Sequence, residues 1–401
     1  MTIPVPIVLQ TVQPASIQVD SVISAVLRSP RVVSAASLVK STMRAAKAGR
    51  STVPGQLSIA PWLGSPNGTT EEFLFIQSLD AGGRRGARLT SIDASLLDAK
   101  ATYNETLKSV YVTILTQCVQ LLLAQRAADH ALLVEKNLAE SMRVIEAQVN
   151  AGTKPGSDLE LAKAVWNEAR IDTVLASEKV MTLRTSLQTY GISNGDVNLK
   201  SISRVLPELG SLHPDHVLEG RADANIAKLI ADKQAVSAAG RPDVSMVVRS
   251  QNFTRNFTPN DRGIALQLSI PVDHGTIRAN AATFDSQIGN VERRLEDESA
   301  KQKALRISIE ANIASIDSGI IASQQKVIAP LSDYVSKMQR AYEAGTVNVV
   351  TFLDAQRAYH SALGKLLALQ DRRDMAILQL VEQGGMIPRQ FTNYNQQSDK
   401  K

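Results

Sequence analysis

Hydrophobic residues recur along this chain with two alternating periods, and the changes of period mark out its elements. Ile17, Val19, Val22, Ile23 and Val26 are spaced for one helix face, and an Ala-rich segment follows Pro30, so residues 17–48 read as helical. The period then switches to two. Residues 56–63 predict a strand, the polar run 64–70 a turn, and residues 73–79 a second strand. Residues 86–149 contain no proline. Leu107, Val110, Ile114, Leu121, Ala124, Ala128 and Ala131 fall there in steps of three and four, with Gln117 interrupting. This predicts one continuous helix of roughly 64 residues, about 95–100 Å long.

The pattern turns at residues 150–157, where Ala151-Gly152-Thr153 precedes Pro155-Gly156-Ser157, and a shorter helix returns over 158–189. Residues 191–216, with Pro207, Gly210 and Pro214, read as a linker. The same order then begins again: a helix over 217–239, strands over 244–253 and 264–270, and a long helix over 276–344. Its seam runs through Ile277, Ala281, Phe284, Ile288, Val291 and Leu295, and resumes at Ile309, Ile313, Ile316 and Ile320. Pro330 is expected to kink it. A second turn at 344–350 contains Ala344-Gly345-Thr346, and residues 348–382 form the second return helix. Glycine in the left-handed conformation ends helices, and Asn or Ser beyond it caps the next one.

Asp80 and Asp273, Gly82 and Gly275, and Gly152 and Gly345 are all 193 residues apart. A register held over about 70 residues marks an internal repeat. The chain therefore divides into a first repeat (1–190), a linker (191–216), a second repeat (217–385) and a polar tail (386–401). The fold class is mainly α with a small β part: a strand hairpin followed by a long coiled-coil-like helical hairpin, used twice.

Helices of this length cannot bury their seams within one chain of 401 residues, so the protein is expected to be an oligomer. In the strand over 264–270, Ile264, Leu266, Leu268 and Ile270 share one face and Ala265, Gln267 and Ser269 the other. That alternation fits either a membrane barrel wall or a half-buried soluble sheet. Among helical segments, no apolar run reaches the ~18 residues of a membrane span, so any crossing would have to use strands.

Composition narrows the function classes. Aromatics make up only 4% of the chain, as suits long, closely packed helices. The 44 basic and 39 acidic residues are interleaved, without the clustered stripe of a nucleic-acid face. The single cysteine, Cys118, reads as a small core residue. No catalytic motif is present, which points away from an enzyme. His213 and His216 are the only close His pair, and no metal or cofactor site is expected. The N-terminus has no basic residue before Arg28 and lacks the pattern of a signal peptide.

Several runs carry a resemblance. They are Leu79-Asp-Ala-Gly-Gly83 and Pro271-Val-Asp-His-Gly275 at the strand-to-helix joins, Pro330, Tyr342-Glu-Ala-Gly-Thr346, and Thr351-Phe-Leu-Asp-Ala-Gln-Arg357. Over about 17–385 the chain resembles the TolC family of outer-membrane channel proteins, closest to its metal- and multidrug-efflux branches. The resemblance implies a homotrimer whose helices form an α-barrel continued by a 12-stranded membrane β-barrel, four strands per chain. It implies the channel component of a tripartite efflux or type I secretion system. The partners would be a periplasmic adaptor, an inner-membrane pump and outer-membrane lipid, with no nucleic acid. The tip residues Gly152, Thr153, Gly345 and Thr346 would meet the adaptor, and Asp158 and Asp354 would line the periplasmic aperture. Thr351 replaces the acid that would align with Asp158, the strands carry few aromatics, and Pro155-Gly156 makes the first tip unusual. The competing classes are a periplasmic adaptor, which carries one helical hairpin, and a soluble coiled-coil protein, which needs no strand hairpins.

Overall fold

The computed structural model describes residues 15–17, 19–51, 57–63, 70–79, 83–192, 197–202, 212–214, 216–253, 261–272 and 274–388. The chain forms two compact units, one built from residues 33–106 and 216–300 and the other from residues 1–32, 107–215 and 301–401.

The first unit holds a four-stranded antiparallel sheet in the order β2-β3-β6-β7: β2 (Leu57–Leu63), β3 (Thr70–Ser78), β6 (Asp243–Phe253) and β7 (Asp261–Ser269). The two expected strand hairpins thus join into one sheet through β3 and β6, which pair from Thr70↔Phe253 to Ser78↔Ser245. β3 starts three residues earlier than its alternation indicates and β7 likewise, because pairing extends past the last apolar position. The register sorts side chains onto two faces. One face aligns Ile59, Phe75, Val248 and Ile264 in a row across all four strands, with Met246 beside Leu266 and Val244 beside Leu268 next to it. The other face aligns Ser58, Ile76, Val247 and Ala265, then Ser78, Ser245 and Gln267. The second face is therefore mixed rather than wholly polar.

Helices α2 (Pro30–Ser51) and α5 (Val217–Ala239) complete this unit, with the first part of α3 (Arg84–Asn150) and of α6 (His274–Ser323). Arg221 of α5 bonds Asp98 at 2.8 Å, and Lys233 bonds Asp285 of α6 at 2.6 Å. Such exposed pairs set helix register more than stability. The expected single helix over 17–48 is two helices, α1 (Val19–Arg28) and α2, broken at Ser29. A residue preceding proline is pushed out of the helical region, and proline then fits the first turn of the next helix.

The second unit contains the remainder of α3 and α6, with α4 (Gly156–Gln188), α7 (Ala329–Glu343) and α8 (Val349–Glu382). Its core joins Leu138 and Ile145 of α3, Ala162, Val165 and Ala169 of α4, Tyr342 of α7, and Val349, Phe352 and Leu353 of α8. The disturbance expected at Pro330 lies just upstream, as a π-helical turn over Gln324–Ile328. Proline offers no N–H and its ring crowds the carbonyl four residues back, so the preceding turn widens. The expected linker over 191–216 contains two strands. β4 (Val197–Ile202) pairs with β1 (Ala15–Ile17), and β5 (Leu212–Pro214) pairs with β8 (Met386–Pro388).

The expectation that helical segments lack a membrane-length apolar stretch holds for unbroken runs but not for mean hydropathy. Among the described residues, α3 does contain an 18-residue window apolar enough to cross a membrane, and more than half of it is buried within the protein. Leu107, Val110, Ile114, Leu115, Leu121 and Leu122 are all buried. Scattered Thr and Gln conceal this window from a search for unbroken apolar runs, and its burial makes it a core helix. Cys118 sits in it with no exposed surface, and burial pushes its thiol up to about 12.

Candidate channel wall and helical tips

On the sheet, Ile264, Leu266, Leu268 and Ile270 are 75%, 73%, 59% and 58% exposed. Ile59, Phe75 and Met246 of the same face are also exposed. A soluble domain would cover such a face with a helix or second sheet. Among the described residues, nothing covers this four-strand-wide apolar surface.

The two turns at the other unit share one construction. Gly152 and Gly345 adopt φ of 73° and 75°. At each, the glycine N–H donates three residues back, Gly152 to Val149 at 2.9 Å and Gly345 to Tyr342 at 3.0 Å. The following threonine donates five residues back, Thr153 to Gln148 at 3.0 Å and Thr346 to Ala341 at 2.9 Å. Each threonine hydroxyl bonds that same carbonyl, at 2.8 and 2.9 Å. Both are therefore Schellman-type caps doubled by a side chain. Threonine is suited because its hydroxyl and its backbone N–H reach one acceptor together. A Cβ at either glycine would meet nothing within 4 Å, so only the left-handed backbone demands glycine.

The return helices start differently. Asn348 caps α8, accepting from the Thr351 N–H and hydroxyl, both at 2.8 Å. At the first tip the expected Ser cap is absent. Pro155 takes the N-cap position with extended backbone, and no side chain caps α4.

Asp158 and Asp354 occupy distinct surroundings. Asp354 is exposed and lies 3.5 Å from Arg357, one turn on. Asp158 is half-buried in the first turn of α4, beside the Tyr342 phenol. The Tyr342 ring is fully buried, stacks on Phe352 with centroids 5.4 Å apart, and carries Lys154 Nζ 4.5 Å above it. Its phenol is pushed up to about 12, first by burial and then by the Asp158 carboxylate. Tyr342 thus ties both tips together: its own helix ends at Gly345, while Lys154 and Asp158 belong to the other turn.

Away from the tips, α3 and α8 share polar contacts that sequence reasoning missed. Arg126 bonds the buried Asp374 at 2.6 Å and approaches Asp371 at 3.4 Å. Gln356 donates to Ser141 at 2.6 Å. His130 and His360 meet edge to face at 6.4 Å, and burial lowers both, His360 to about 4. No spacing rule relates partners so far apart in sequence. Among the described residues, no group of three or more His, Cys, Asp or Glu could hold a metal ion. His216 is exposed beside Glu219, and the His213 side chain lies outside the described residues.

No family model matches the chain. Solved structures do. The outer membrane protein VceC from Vibrio cholerae superposes with a TM-score of 0.70 at 13% identity, over 92% of this chain and 96% of that one. The outer-membrane channel OprN gives a TM-score of 0.70 at 17% identity, over 92% and 89%. The fold is that of the TolC-family outer-membrane channels. By sequence, the toluene efflux pump outer membrane protein TtgI of Pseudomonas putida is 23% identical over 316 residues. That match covers 70% of this chain and 64% of the relative, so the chain spans about two-thirds of the length of the curated relatives it matches.

Proposed function

We propose that this protein is the outer-membrane channel of a tripartite export system, with efflux the better supported use. Three copies place their four strands side by side in a 12-stranded barrel, and their helices continue it as an α-barrel through the periplasm. The observation that carries this reading is the uncovered apolar face centred on Leu266. It sits on a sheet with two raw edges, β2 and β7, and copies of the same sheet would satisfy both. Substrate passes passively, delivered by an inner-membrane pump through an adaptor. Sequence relatives named as efflux-pump outer membrane proteins support efflux over protein secretion. An adaptor or a soluble coiled-coil protein would have no use for a four-stranded sheet with an open apolar face.

The tips Gly152-Thr153 and Gly345-Thr346 form the adaptor-facing end. Three-fold symmetry would turn Asp158 and Asp354 into rings of carboxylates at the aperture, where they favour cations. Their surroundings suggest a division of labour: Asp158 is positioned at Tyr342 and couples the two tips, whereas exposed Asp354 is available to ions. The test is density fractionation of cells expressing the protein, followed by planar-bilayer recording. The protein should band with the outer membrane and form long-lived conductances selective for cations. Recovery in the soluble fraction alone, with no conductance, would overturn the reading.

A further inference from the structure

We propose that the arginines at the strand–helix joins form a binding site for the phosphate headgroups of anionic phospholipid in the periplasm-facing leaflet. This inference rests on the barrel reading above. The apolar face of the sheet does not fade out towards the helices. Leu79, Ile270 and Val272 keep it exposed up to the joins, with Val272 at 93%. Within about two turns the chemistry changes sign. The join from β3 to α3 brings Arg84, Arg85 and Arg88; the join from α5 to β6 brings Arg241; the join from β7 to α6 brings Arg278. Against these five arginines the same stretches contain three aspartates, Asp80, Asp243 and Asp273, two of which lie outside the described residues.

Arg88 is half-buried, and the other four arginines divide into two sets. Arg84 bonds Asp243 at 3.1 Å, clasping β3–α3 to the start of β6. Arg241 lies across the same turn: a Cβ on Gly83, which adopts a φ of 88°, would stand 2.9 Å from the Arg241 guanidinium. These two fix the shape of the join. Arg85 and Arg278 are exposed and lie beyond it.

An apolar wall bordered by exposed guanidinium groups complements a lipid leaflet whose acyl chains end in phosphate. Guanidinium pairs phosphate through a planar fork, and it carries less hydration to shed than ammonium. Such attraction strengthens binding to an anionic surface by roughly fivefold per arginine. An acidic protein partner would not need the adjoining apolar wall, and neither would free phosphate.

The test uses the full-length protein in mild detergent, exposed to phosphatidylcholine or phosphatidylglycerol and weighed by native mass spectrometry. Retention of phosphatidylglycerol should exceed that of phosphatidylcholine by at least tenfold, and inorganic phosphate should not displace it. R85Q/R278Q should lose most of that preference while keeping its oligomeric state; R85K/R278K should keep a good part of it. Equal retention of both lipids by the native protein, or an unchanged preference in R85Q/R278Q, would overturn the proposal. If R85Q/R278Q does not assemble, the native protein's preference and its displacement by phosphate decide. Failure of the barrel reading is distinct: the protein would then float with no vesicle of either lipid.

Discussion

At the scale of single residues, the buried imidazoles and the two tip glycines make the sharpest predictions. His360 is over nine-tenths buried and held neutral down to about pH 4, chiefly by burial and secondarily by His130. In the unfolded chain it would accept a proton near its ordinary value of about 6.5. Its depressed folded value means that the unfolded state binds protons first as pH falls. Stability is therefore complete above about pH 6.5 and is lost between there and pH 4, by about 2–3 kcal/mol per chain. Melting followed from pH 7.5 to 4.5 should show this decline, and His360→Asn should flatten it. Gly345→Ala tests the tip. The left-handed backbone makes the Cβ cost about 1–2 kcal/mol, and no neighbour obstructs it. If the proposed tip docks an adaptor, assembly should survive while docking to the altered turn fails, so efflux should fall with normal yield of the assembled protein. Normal efflux would refute the tip assignment. Asp354→Asn removes an exposed charge and should lower cation selectivity, read as a shift in reversal potential. Unchanged selectivity would leave Asp354 as a residue of the helix's first turns and nothing more.

At the scale of elements, the exposed face of β7 discriminates membrane wall from soluble sheet. Leu266→Arg and Leu268→Arg should abolish insertion, since arginine near the bilayer midplane costs ~2–4 kcal/mol. Gln267→Arg, on the opposite face, should be accepted, and outer-membrane yield measures the difference. Equal yield from all three would contradict a barrel. The same face shows what was legible in the sequence. Strict alternation over residues 264–270 and long 3,4 seams announce β7, α3 and α6, because period survives without knowledge of partners. The tips were legible too, since Ala-Gly-Thr at both reports a backbone that only glycine adopts readily. Three-residue strands such as β1, β5 and β8 are too short to show a period, so the linker hid them. The break at Ser29 was encoded in Pro30, yet helical spacing on both sides masked it. Contacts such as Tyr342 with Lys154 and Asp158, or Arg126 with Asp374, arise from the packing of distant helices and have no local signature. Asp158 and Asp354 could be matched to a family pattern, but their differing environments came only from the fold.

At the scale of the whole molecule, one chain is an incomplete object. Its sheet has two open edges and an apolar face, and its helices leave hydrophobic residues such as Ile171, Val174, Leu175 and Met181 on α4 uncovered. Ile171, Val174 and Leu175 fall at i, i+3 and i+4, and Met181 lies seven residues beyond Val174, as a seam awaiting neighbouring helices would. Four strands cannot close a barrel, and membrane barrels need at least about eight. In the proposed trimer, three chains would supply twelve strands and bury the helical seams in the same step. The most direct measurement is the mass of the purified protein in mild detergent, by native mass spectrometry or light scattering corrected for detergent. The account predicts a single species of three chains of 43.3 kDa each, persisting on dilution. A monomer or dimer as the only species would contradict it.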